Sequence, residues 1–423
     1  MNILDIIEKK KNKKELSKEE INYFVDGFVR EEIKDYQMSS LLMAIVLNGM
    51  SDRETFDLTE AMLNSGDKMD LSKIEGVKVD KHSTGGIGDK VSLVVLPLAA
   101  SCGIKVAKMS GRGLGFTSGT IDKLESIKGF KTSIKEKRFF KQVNKIGISL
   151  VSQSGDLVPA DKKIYALRDV TGTSESIPLI ASSIMSKKLA SGSDKILLDI
   201  KVGKGAFMKN INDATKLAKL MIKIGNNSGK ETVAVLSNMD YPLGKTIGNG
   251  LEVQEAIDTL LAKGDRRFLE LCLVEASYMV SLAKNISIND AIEEVQNAYE
   301  NKLGYNKLTE FISAQGGNIN KISIIKNQIP IISTKSGYIT DIDSLSLAKL
   351  SNHLGAGRMN KEDKINHGVG IVLNKVYGDK VEEGDTLAYL VTNEKIDTKE
   401  YESYFEIGEK EPEELKIIYN IIK

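Results

Sequence analysis

Cysteine, proline and histidine are scarce in this sequence, with 2, 6 and 3 copies among 423 residues. Two cysteines far apart, Cys102 and Cys272, cannot build a disulfide scaffold. Both fall in apolar helical stretches, where a thiol behaves as a small buried hydrophobe. The low proline count, with 41% hydrophobic against 28% charged residues, excludes a largely disordered chain. An excess of charge of either sign is missing too, since 59 Lys and Arg against 58 Asp and Glu leave a net +1. Without a basic field there is no general means of holding a nucleic-acid backbone or an anionic membrane, so neither is expected as a partner. The longest apolar run near the start, 41–47, falls far short of the roughly 20 residues of a membrane span. The lysine-rich residues 1–16 lead into no signal-like apolar segment, and a cytoplasmic protein is the expectation.

What is present is enough chain for two or three domains, in three distinct patterns. Over residues 17–65 the apolar side chains recur at helical spacing (Ile21, Phe24, Val25, Phe28, then Leu41, Ile45, then Leu58, Met62), and Ser17 with Glu20 reads as a capping box. From residue 67 short β-rich runs alternate with helices: strands near 77–79, 106–109, 195–202 and 232–236, and helices over 90–102, from Thr120, after Asn212, and from 251 to about 300. That alternation predicts a largely parallel sheet covered by helices, with a kink or late start at Pro97. Residues 160–191 interrupt it with a helical pattern that can fold back on the N-terminal helices. After 329, short strands separated by Gly and Asp turns predict a β-rich domain. The fold class is therefore α/β with a discontinuous all-helical domain and a C-terminal β-rich α+β domain. The units are 1–66 plus about 160–191, then 67–159 plus 192–328, then 329–423. The last resembles a biotinyl/lipoyl hammerhead, but no Met-flanked lysine sits at a hairpin tip to carry a prosthetic group.

Chemistry concentrates in two loops between a strand and a helix. Lys81-His82-Ser83-Thr84-Gly85-Gly86-Ile87-Gly88-Asp89 combines glycines that admit close backbone approach, a cation, and a following helix N-terminus. It reads as an anion site, although such a turn alone is equally compatible with a plain turn and is not the nucleotide-triphosphate loop. The second loop runs from Lys108-Met109-Ser110-Gly111-Arg112-Gly113 to Ser118-Gly119-Thr120, with Thr120 placed as the cap of the next helix. Two such loops at neighbouring strand ends can face one phosphate, where an open α/β sheet places its ligands. His82 stands beside a cation in the first loop; His353 and His367 lack such company and read as structural.

These residues carry a resemblance. Ser110-Gly111-Arg112-Gly113-Leu114 through Thr120-Ile121-Asp122-Lys123-Leu124-Glu125, with Lys81-His82-Ser83-Thr84-Gly85-Gly86, is similar to the thymidine and pyrimidine-nucleoside phosphorylases. So are Asp35-Tyr36-Gln37-Met38-Ser39, Pro159-Ala160-Asp161-Lys162-Lys163, Tyr165-Ala166-Leu167-Arg168-Asp169, Ser182-Ser183-Ile184-Met185-Ser186-Lys187-Lys188 and Gly205-Ala206-Phe207-Met208. The resemblance implies a pentosyltransferase in which phosphate attacks C1′ of a pyrimidine nucleoside, releasing free base and pentose 1-phosphate. It implies phosphate contacts from Lys81, Ser83, Ser92, Lys108, Ser110 and Thr120. It implies pyrimidine contacts from His82, Arg168, Ser183 and Lys187, with His82, Arg168 and Lys187 catalytic. Those residue types suit the chemistry, because cations and donors stabilise a base leaving as an anion, and phosphate itself is the nucleophile. Lys108 resembles the non-selective relatives and implies use of uridine as well as thymidine and deoxyuridine. No organic cofactor is implied, and the partners are nucleoside, phosphate and a second copy of the chain through residues 1–66. Without the resemblance, Arg168 and Lys187 read as helix-surface ion pairs.

The chain departs from its relatives at Phe116 and Ser118, where they commonly carry His and Gly, which puts loop closure in question. Relatives also imply a potassium site, here Gly88, Leu243, Thr246 and Glu255, but where they have threonine this chain has Lys90. Lys90 is expected to pair with Glu255 in place of the ion, against the alternative of a solvent-facing lysine. The rival functions are a thymidine-selective phosphorylase, a silent nucleoside-binding relative, and an enzyme resembling anthranilate phosphoribosyltransferase. The last would need magnesium, for which no paired acidic motif stands out. Phosphate-dependent base release separates the first from the others.

Overall fold

The computed structural model describes residues 1–113, 118–153, 157–358 and 363–423; Leu114 and Phe116 lie outside the described residues. Four helices open the chain: α1 (Ile3–Lys11), α2 (Lys18–Val29), α3 (Asp35–Asn48) and α4 (Asp52–Leu63). Residues 1–16 thus hold a helix that the sequence pattern does not announce, because its lysines mask the helical period. The Ser17–Glu20 capping box is formed in both directions.

The α/β part follows as β1 (Val79–Ser83), α5 (Val91–Ser101), β2 (Val106–Ser110), α6 (Thr120–Glu125), α7 (Glu136–Ile146) and β3 (Ile148–Ser152). Next come α8 (Pro159–Val170) and α9 (Ile177–Ala190), then β4 (Lys195–Val202), α10 (Ile211–Asn227) and β5 (Glu231–Asn238). β1, β4 and β5 pair in parallel, with Val79 opposite Lys195 and Ile196 opposite Thr232. β2 and β3 form a second parallel pair, whose backbone meets that of β1 at an isolated bridge between Lys78 and Lys105. Beyond that bridge β1 and β2 no longer hydrogen-bond as strands, and buried charge fills the split.

Three expectations need correction. β1 starts at Val79 rather than Val77, whose side chain is exposed. Pro97 does not delay its helix: α5 begins at Val91, and burial of Val91 and of every residue from Leu93 to Ala100 outweighs the roughly 3 kcal/mol that an internal proline costs. Gly119, not Thr120, is the cap of α6, and glycine is required there because a Cβ would lie 2.3 Å from the Arg112 carbonyl carbon.

α8 and α9 pack on the first four helices, with Ile164 and Leu179 joining Phe24, Phe28, Leu41, Leu58 and Met62 in one core. β6 (Thr246–Ile247) and the helices α11 (Asn249–Leu260), α12 (Arg266–Lys284), α13 (Ile288–Glu300) and α14 (Leu303–Ala314) complete the α/β layer. The remainder is β7 (Gln328–Ile332), β8 (Gly337–Ile342), α15 (Ser344–Ser351), β9 (Gly370–Leu373), β10 (Lys380–Val381), β11 (Thr386–Val391), β12 (Phe405–Gly408) and β13 (Ile418–Ile422). Two antiparallel sheets, β6-β9-β11-β7 and β10-β8-β12, make up the C-terminal part. The final strand, expected within that part, returns to the central sheet, where Ile421 lies antiparallel to Val235. β6 crosses the other way, Ile247 pairing with Ile371.

Candidate active site

Alternation along β1 sends successive side chains to opposite faces. Lys81 is fully buried, its Nζ 3.0 Å from Asp199 Oδ2 and 3.3 Å from Glu275 Oε2. Burial and the closeness of Asp199 push Glu275 well above the ordinary carboxylate range, so Asp199 is the charged partner of Lys81. Of the three ammonium donors of Lys81 one is hydrogen-bonded, to Asp199, while the Glu275 contact is an ion-pair distance without a hydrogen bond. Ser83 donates to Asp89 Oδ2 at 2.5 Å and accepts from the Gly85 N–H at 3.1 Å, so the turn is folded around a serine oxygen. Burial opposes charge on Asp89, but Lys201, Lys81 and Lys123 outweigh it and hold the carboxyl ionised.

On the other face, Asp80 sits in the split of the sheet, 3.1 Å from Lys108 Nζ and 2.6 Å from Lys188 Nζ. Burial would raise it, yet those two lysines bring it down to about 2. Lys108 also donates to the Lys81 carbonyl, which brings β2 against β1. Ser83 and Ser110 end these two strands, and Ser92 and Thr120 lie in the first turns of the helices that follow; all four are half-buried. Burial, reinforced by Lys188 and Lys108, holds the His82 imidazole well below the ordinary histidine range. A neutral ring offers an N–H to a ligand rather than a proton.

The pyrimidine-side residues gather on α8 and α9. Lys187 Nζ is 2.5 Å from Asp161 Oδ2 and 2.9 Å from Ser183 Oγ, one helical turn away. The Tyr165 ring lies 5.7 Å from Lys187 Nζ and 5.8 Å from the Arg168 guanidinium carbon. Arg168 is no helix-surface residue: its side chain is buried and donates to the carbonyls of Thr173, Leu179 and Ser174 at 3.0, 3.1 and 2.8 Å. One N–H on each terminal nitrogen remains for a substrate oxygen. Among the described residues the buried Asp161 Oδ1 has no hydrogen-bond partner.

Asp80, Asp161, Tyr165, Asp199 and Glu275 are not singled out by sequence reasoning, and Lys188 only as a helix-surface ion pair beside Lys187. Asp161, Tyr165 and Lys188 lie inside matched motifs and could have been noticed there; the three other carboxylates carry no local signal.

The second loop is held by Arg112, bidentate to Glu125 at 2.6 and 2.7 Å and 3.1 Å from Asp122. Ser118 Oγ donates to Glu252 Oε1 at 3.3 Å, so the extra side chain has a partner on α11. Lys90 is 1% exposed, its Nζ 2.8 Å from Glu255 Oε2 and 3.3 Å from the Thr246 carbonyl, and bonded to the Leu243 carbonyl. A potassium ion would need those same oxygens, so with Lys90 in place these residues do not fit one.

A parallel sheet with a helical bundle packed beside it, each contributing candidate site residues, accords with the glycosyl transferase class. The helical bundle domain of the Glycosyl transferase family matches residues 4–66 and its a/b domain residues 75–302. The Pyrimidine nucleoside phosphorylase C-terminal domain matches residues 338–406. Over 402 residues the chain is 53% identical to the pyrimidine-nucleoside phosphorylase of Staphylococcus epidermidis, covering 93% of both chains. It is 52% identical over 405 residues to that of Staphylococcus haemolyticus, covering 94% of both. The chain belongs to the pyrimidine-nucleoside phosphorylase family. Its fold is shared with anthranilate phosphoribosyltransferase from Thermus thermophilus, at a TM-score of 0.60 and 15% identity, over 74% of this chain and 99% of that one.

Proposed function

We propose that the protein cleaves uridine, thymidine and deoxyuridine with inorganic phosphate, giving free base and pentose 1-phosphate. The observation that carries this reading is β1, whose alternate residues serve two compartments: Lys81 and Ser83 the anion side, Asp80 and His82 the side of the α9 lysines. A phosphate oxygen attacks C1′ as the bond from C1′ to the base nitrogen breaks, and the electron pair leaves on the base. The His82 N–H and the cations of Lys187 and Arg168 meet the charge that spreads onto the base carbonyl oxygens. The proton count closes through water, from the esterified phosphate to the base. Lys108, in the split of the sheet between Asp80 and the Lys81 carbonyl, gives no reason to reject a ribose 2′-hydroxyl.

The test is spectrophotometric base release from uridine and thymidine, with and without phosphate. Release from both, dependent on phosphate, is expected. Release from thymidine alone would leave the narrower, thymidine-selective reading, and release independent of phosphate would sink phosphorolysis. Supporting a homodimer, Tyr36, Met43 and Leu47 form an exposed apolar stripe along α3 at helical spacing. Cys102 and Cys272 are buried free thiols, in keeping with a cytoplasmic site of action. Among the described residues no helix is long and apolar enough to cross a membrane.

A further inference from the structure

We infer that Lys90 is a tethered cation that fills a ready-made site for a dehydrated monovalent ion, so that this protein needs no such ion in solution. Two backbone carbonyls, Leu243 and Thr246, and the Glu255 carboxylate converge on its Nζ, and the Phe268 ring lies 5.2 Å away on a further side. Convergent carbonyl dipoles and a buried carboxylate create a negative potential that is costly unless a cation answers it. Glu255 is fixed by the N–H groups of Lys245 and Thr246 at 2.6 and 2.9 Å and by the Thr246 hydroxyl, so the oxygens hold their places whatever cation is present. Their approach is backbone to backbone: a Cβ on Gly88, at φ +69°, would lie 2.9 Å from the Thr246 carbonyl oxygen and 3.0 Å from that of Leu243. The geometry is that of an ion cage whose ion is supplied by the chain.

The position gives the cation a mechanical role. Lys90 follows Asp89, which orders Ser83 in the anion loop, while Thr246 and Ile247 form β6 and pair with β9 of the C-terminal sheet. One ammonium therefore ties the anion loop, α11 and the C-terminal part together. This makes Lys90 a positioning residue for the phosphate site.

The experiment uses the full-length protein, its Lys90→Thr variant, which keeps the cage and empties it, and Lys90→Met, which fills it without charge. Melting temperature is followed as potassium chloride replaces choline chloride at constant ionic strength. The wild type should not respond. Lys90→Thr should melt several degrees lower in choline and recover saturably with potassium, whereas Lys90→Met should be weakened in both salts. A saturable potassium response in the wild type, a Lys90→Thr variant that gains nothing from potassium, or a Lys90→Met variant as stable as the wild type would each overturn the inference. If Lys90→Thr does not fold in choline, its refolding from urea decides: recovery in potassium alone is expected, and recovery in neither salt overturns it. These readouts stand whatever the reaction is. A second arm rests on the phosphorolysis reading: Lys90→Thr should show a raised phosphate KM in choline, restored by potassium, with kcat changed less.

Discussion

Among the lysines around the site, Lys108 is one whose charge burial weakens. Burial lowers its ammonium to about 8, with Lys188 adding to the effect and Asp80 only partly opposing it. If Lys108 serves the substrate as the phosphorolysis reading has it, that cation titrates away as pH rises through about 8, and kcat/KM should fall there. A guanidinium keeps its charge, so Lys108→Arg should carry that basic limb upward by more than about one pH unit. A limb unmoved by the substitution would assign it to another group. Stability should run the opposite way. The unfolded lysine binds protons that the folded one has lost, so the burial penalty is full below about pH 8 and is relieved as pH approaches the unfolded value near 10.4. At this scale the two loops were legible because glycine, hydroxyl and cation recur within a few residues, and Lys90 was legible as an exception inside such a loop. Asp80, Asp199 and Glu275 were not, because a buried carboxylate is identified only by the lysine it meets, and those lysines are distant in sequence.

The turn between α8 and α9 depends on one side chain. Arg168 holds three carbonyls of that turn and its neighbour, all facing a buried guanidinium. Lysine has no planar fork to reach them together, and the acceptors left unpaired make Arg168→Lys cost about 2–4 kcal/mol. Urea unfolding should show this as a lower midpoint with an unchanged slope, accompanied by a raised nucleoside KM. An unaltered midpoint would mean that Arg168 serves the substrate alone. Elements of this kind divide by how local their cause is. The strand read over 195–202 from its apolar run is the strand observed, and α2 opens at its predicted box. α1, β6 and β13 escaped because β6 is two residues long, α1 is masked by surface lysines, and β13 exists only by pairing with a strand far back in the chain.

The alternation of strands and helices made the α/β class readable for the whole molecule, and the helical interruption at 160–191 made its discontinuity readable. The mutual threading of β6 and β13 between the sheets was not, since no local pattern encodes which sheet a short strand joins. The resting arrangement also bears on catalysis. Lys187 is held by Asp161, Arg168 by its own turn and Lys81 by Asp199, so every cation assigned to substrate already has a partner on or beside its own element. Between the base-side helices and the anion-side sheet, the buried Asp80–Lys188 pair is a charged link on which α9 can settle as ligands arrive. Bound phosphate and nucleoside would draw those cations inward, expel water and bring the two compartments together. Small-angle scattering should therefore show a more compact particle with phosphate plus an inert nucleoside analogue than with neither, and phosphate alone should give less of the change. Superimposable profiles in all three conditions would mean that the site is complete before its substrates bind.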